Sequence, residues 1–101
     1  MRLVEGDTFP EPTYDLNADV TGATVRFRLM NIQDIGVIDD DATIVDPDEG
    51  IVKYPDSMAA LPAGAYRGAF IVTFAGGDVQ HFPQAGHIEV LVEQAVTVVV
   101  P

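Results

Sequence analysis

The chain has no cysteine and no tryptophan, and it carries a single lysine, Lys53, and a single serine, Ser57, in 101 residues. Without cysteine there is no disulfide framework and no Cys-ligated zinc or iron–sulfur centre. Five basic side chains stand against sixteen acidic ones, for a net charge of −11. Most of the surface would repel a phosphate backbone, so nucleic acid is not an expected partner. No apolar run approaches the ~20 residues of a membrane-spanning helix, and residues 1–7 lack the basic and apolar regions of a signal peptide. The expectation is a soluble protein without a membrane partner, made in a cytoplasm.

What is present is a two-residue rhythm. Val25, Phe27 and Leu29 alternate with Thr24, Arg26 and Arg28, the period of a strand with one face buried. Tyr66, Gly68, Phe70, Val72 and Phe74 share a parity in the next long segment, followed by Ala75, Gly76, Gly77 and Asp78, which suit a hairpin turn, and by a return over Val79 to Phe82. Ile88, Val90 and Val92 face inward in a further strand, with Glu89 and Glu93 outward. Tyr14, Leu16 and Ala18 form an earlier strand, after Pro10 and Pro12 have kept the chain extended. Val52 and Tyr54 are core positions of a short strand after the turn at residues 47–50. A weaker strand pair, residues 36–38 and 42–46, flanks Asp39, Asp40 and Asp41. Residues 55–63 have brief helical character and predict a crossover between sheets. Turn signals about every ten residues point to an all-β sandwich of seven to eight mostly antiparallel strands in a single domain spanning residues 1–101, with its core at about 5–93.

Two details refine that reading. Leu61, Gly64 and Tyr66 have the spacing of an immunoglobulin-like corner, where a tyrosine hydroxyl ties a sheet-to-sheet crossover to the backbone. Gly68 falls where true immunoglobulin domains place their second cysteine, so the likeness is to the architecture alone. The tail, Val96-Thr97-Val98-Val99-Val100, is an unguarded β-prone window. This C-terminal strand, residues 95–100, pairs either within the domain or with a neighbouring subunit.

The candidate chemistry is sparse. Asp39, Asp40 and Asp41, and Asp46, Asp48 and Glu49, offer oxygens of the kind calcium takes, but consecutive aspartates on an extended chain point to opposite sides and read as solvated acidic turns. His81 and His87 flank a loop and lack the further ligands of a zinc site. Ser57 has no Gly-x-Ser-x-Gly setting and reads as the start of the short helical turn. Gly76 and Gly77 have no Gly-Lys-Ser/Thr after them, so a hairpin explains them better than a phosphate loop. Phe27, Tyr54, Tyr66, Phe70 and Phe74 sit on core parity, which leaves only Phe9, Tyr14 and Phe82 for a sugar-stacking platform. The expectation is no enzyme, no cofactor and no metal.

An ordered series of short motifs runs along the chain: Gly6-Asp7-Thr8, Leu16 followed by Val20-Thr21-Gly22-Ala23-Thr24-Val25-Arg26-Phe27, Gly50-Ile51-Val52-Lys53-Tyr54, Gly64-Ala65-Tyr66, Phe70-Ile71-Val72-Thr73-Phe74 with Gly77, and Phe82-Pro83. From about residue 5 to residue 92 the series resembles the immunoglobulin-like structural proteins of tailed bacteriophages, of the type found at the N-terminus of baseplate upper proteins. The resemblance implies a virion component that repeats in a symmetric assembly and binds other phage structural proteins and copies of itself through strand edges and loops. The chain departs from the type in stopping after one domain and in its longer, more apolar loop before Tyr66. These departures point to a small tail, connector or capsid-decorating subunit. On that reading Arg26, Arg28 and Arg67 meet carboxylates of adjacent subunits, and Val96, Val98 and Val100 supply a strand for an inter-subunit contact. The reading from a different class is a ligand-binding or adhesion module for carbohydrate or calcium.

Overall fold

The computed structural model describes residues 2–4, 13–84 and 86–93, and they build nine β-strands and one short 3₁₀ helix. In chain order the strands are β1 (Arg2–Val4), β2 (Thr13–Asp15), β3 (Thr24–Asn31), β4 (Gly36–Asp41), β5 (Thr43–Asp46), β6 (Ile51–Lys53), β7 (Gly64–Thr73), β8 (Val79–Phe82) and β9 (Ile88–Glu93), with the 3₁₀ helix at Asp56–Ala60. The larger sheet has the order β1-β9-β7-β3-β4, with β8 also alongside β7, and the smaller has the order β2-β6-β5. Every pairing is antiparallel except that of β1 with β9.

The register of β3 on β7 fixes the larger sheet. Val25 lies opposite Val72, Phe27 opposite Phe70 and Leu29 opposite Gly68, and all of these face the core. Between them Arg26 lies opposite Ile71, Arg28 opposite Ala69 and Met30 opposite Arg67, on the outer face. A slip of one residue would carry two arginines inward, so the alternation itself selects the pairing. Gly68 is required by packing: a Cβ there would stand 2.8 Å from both Leu29 Cδ1 and Phe27 Cζ.

Aromatic rings join the two sheets. Tyr14 of β2 and Tyr54, just after β6, meet Phe70 with ring centroids 5.1 and 5.0 Å away, and Tyr54 stands edge-on to Phe27 at 5.0 Å. Rings at these separations and tilts attract beyond the area they bury. Burial, reinforced by the neighbouring Tyr14, pushes the Tyr54 hydroxyl well above the usual phenol range. The crossover expected at residues 55–63 is the 3₁₀ helix, which leads from β6 to β7. Tyr66 Oη donates a 2.6 Å hydrogen bond to the Pro62 carbonyl, the corner bond its spacing predicts.

Several expectations are corrected. The described residues hold nine strands, because Arg2–Val4 adds a parallel strand too short to register as a pattern. Asp39, Asp40 and Asp41 are not a turn: they are the second half of β4, an edge strand of the larger sheet. Residues 36–38 and 42–46 therefore do not pair with each other. The chain changes sheet at Ala42, whose N–H donates to the Val25 carbonyl at 2.9 Å, and β5 then pairs with β6. The 3₁₀ helix has no side-chain cap, and Ser57 instead donates to Asp40 Oδ2 at 2.6 Å, tying the crossover to β4. Tyr14 is half-buried against the core and Phe82 is buried, so neither stands on a surface platform. Phe9, Pro10, Pro12 and the C-terminal Val96, Val98 and Val100 lie outside the described residues.

Candidate functional site: the outer face of the larger sheet

Outward parity on β3, β7 and β9 brings Arg26, Arg28, Met30, Ala65, Arg67, Ala69, Ile71, Glu89 and Leu91 to one surface. His81 joins them opposite Ile71, and Asp39 and Asp41 of β4 lie opposite Arg28 and Arg26. All three arginines predicted as interaction residues are thus brought together. Lys53, on β6 of the other sheet, is the remaining lysine or arginine among the described side chains.

Each arginine has a carboxylate within its own chain. The Arg26 guanidinium spans two carboxylates, with Nε 3.0 Å from Asp39 Oδ1 and Nη1 3.0 Å from Asp41 Oδ1, and Nη2 donates to the Asp39 carbonyl at 2.6 Å. This hydrogen bonding holds Asp39 below the usual aspartate range and Arg26 above the usual arginine value. Arg28 Nε lies 3.4 Å from the same Asp39 oxygen, and Arg67 pairs with Asp34. His87 Nε2 is 3.8 Å from Glu89 Oε1. These pairs are open to solvent, so they set the charge pattern of the face more than they stabilise the fold.

The small side chains of Ala65 and Ala69 along β7 leave the face concave. One open groove of about 540 Å³ has Arg28, Met30, Ala69, Ile71 and His81 in its lining, and a second of about 580 Å³ has Ile32, Ala65, Glu89 and Leu91. Arg67 and His87 line both, so the two hollows adjoin. At one end stands the β3–β4 turn. Asn31 Oδ1 accepts from the N–H groups of Gln33 and Ile35 at 2.9 and 3.1 Å, Asn31 N–H donates to the Ile35 carbonyl at 3.0 Å, and Asp34 sits at φ 60°. The turn so fixed presents Ile32 at 72% exposure and Ile35 at 58%. Sequence reasoning passed over these isoleucines, although two large apolar residues inside a polar turn were the available signal.

Asp15, Asp19, Asp46 and Asp48, away from this face, accept local hydrogen bonds. Asp19 Oδ1 accepts from the hydroxyl and N–H of Thr21 at 2.6 and 2.9 Å, which lowers its pKa, and Thr21 also reaches Asp48 Oδ1 at 3.3 Å. Among the described residues no group of three or more His, Asp or Glu side chains is placed to hold a metal ion, and no helix is long and apolar enough to cross a membrane. No protein-family model matches this chain, and no curated protein matches it.

Proposed function

We propose that this chain is an immunoglobulin-like sandwich that serves, without catalysis, as a structural subunit of a tailed-phage virion, in the tail or baseplate, the head–tail connector or the capsid decoration. Its partners are other phage structural proteins and copies of itself. In support of the fold, β9, β7, β3 and β4 lie side by side in one sheet and β2, β6 and β5 in the other, the grouping of variable-type immunoglobulin strands, with a tyrosine corner at Tyr66. The phage assignment rests on the order of the short motifs.

The observation that carries the assembly role is the outer face of the larger sheet. It combines solvent-exposed Met30, Ile32 and Leu91 with Arg26, Arg28 and Arg67 on a molecule that is otherwise acidic. An exposed apolar surface rimmed by charges marks a protein contact. The adhesion alternative loses two of its three aromatic candidates, Tyr14 and Phe82, to the core. Reversing charge with Arg26→Glu and Arg28→Glu together is expected to abolish incorporation into particles while circular dichroism stays unchanged. Undiminished incorporation of the folded variant would remove the proposal.

A further inference from the structure

We infer that the outer face of the larger sheet is self-complementary, and that two copies of this chain pair through it about a two-fold axis, Ile32 of each seated in the groove over β7 of the other. The inference deepens the assembly reading and rests on it only in treating this face as a contact surface.

Shape is the first argument. Ile32, 72% exposed, stands beside an apolar hollow on the same face, and its turn is held in place by four hydrogen bonds before any partner arrives: two to Asn31 Oδ1, one from Asn31 N–H to the Ile35 carbonyl and one from Asp34 N–H to the Asn31 carbonyl. A surface carrying both halves of a fit satisfies the requirement of an isologous interface, in which the same patch serves both partners. A preformed turn also loses little freedom on docking.

Charge names the partner. Arg28 beside Asp39, Arg67 beside Asp34 and Glu89 opposite Arg67 interleave both signs on this one face. A partner of uniform charge would set like against like at half of these positions, whereas a second copy turned by two-fold symmetry brings the same mixture in reverse. Off this face Asp15, Asp19, Asp46, Asp48, Glu49 and Asp56 stand against Lys53, so a second copy is repelled there. Size agrees. The six strands of this sheet hold 37 residues, which at about 4.8 by 3.4 Å each span roughly 600 Å², the lower end of what each partner gives to a standard interface.

Sedimentation equilibrium of the full chain tests this. The expected mass is twice the 10.8 kDa chain at a concentration on the order of 10 µM. Ile32→Asp should raise the dissociation constant at least tenfold with an unchanged circular dichroism spectrum, while Val45→Asp, on the smaller sheet and 57% exposed, should leave the constant unchanged. Amide shifts of the unsubstituted protein on dilution give a readout independent of any variant, and they should be confined to the outer face, Met30, Ala69 and Leu91 included. A monomer up to about 1 mM, a mass that grows past two, or shifts centred elsewhere would overturn the inference. Such a result would leave the virion reading standing, because that is judged by incorporation into particles.

Discussion

Gly68 is a residue with no room to become anything else. Its missing Cβ would crowd Leu29 and Phe27 at 2.8 Å and the backbone oxygen of Arg28 at 3.0 Å, whereas nothing lies within 4 Å of the corresponding position at Gly76. Gly68→Ala should therefore cost about 1–3 kcal/mol of unfolding free energy, and Gly76→Ala far less, in parallel urea titrations. Tyr66 and Gly68 were legible in the sequence because both obey the strand parity of their own segment. Ser57 was not. Its partner, Asp40, lies seventeen residues earlier on another element, and a lone serine beside a short helical run suggests a cap first.

At the scale of elements, β3, β7 and β9 could be read directly, since burial on one face alone produces a strict period of two. β4 could not. Three consecutive aspartates look like a loop until the arginines across the ladder are known, and those come from β3, eleven to fifteen residues earlier. The same pairing predicts the acid response. Asp39, bonded to Arg26, and Asp19, bonded to Thr21, both have depressed pKa values in the folded chain. Their contribution is complete above the ordinary aspartate value of 3.8 and is lost as pH falls below it through the depressed values. Tm should fall as pH drops from about 5 to about 2, and Asp39→Asn should flatten part of that decline; an identical profile in the variant would show that the pairing adds nothing.

Across the whole molecule, charge is distributed unevenly. Acidic turns cover the smaller sheet and the connections, while Arg26, Arg28 and Arg67 share one broad surface with exposed apolar side chains. The division was invisible to a count of charges, because sequence gives the total of −11 but not which face each residue occupies. The virion and adhesion readings separate at this scale. Addition of about 1 mM calcium, or of a glycan panel, should leave Tm unmoved if the surface serves protein contacts, since a ligand that binds the folded state raises Tm by mass action. An upward shift of several degrees would favour adhesion.

The flank of β7 away from β3 is shared between β9, along residues 64–68, and β8, along residues 70–73. Neither short strand takes its register from the other, so the link between them can change in length without sliding either ladder. That seam makes a natural graft point. An appendage suited to a new partner could be grown there while the scaffold behind it keeps its hydrogen-bonded alignment.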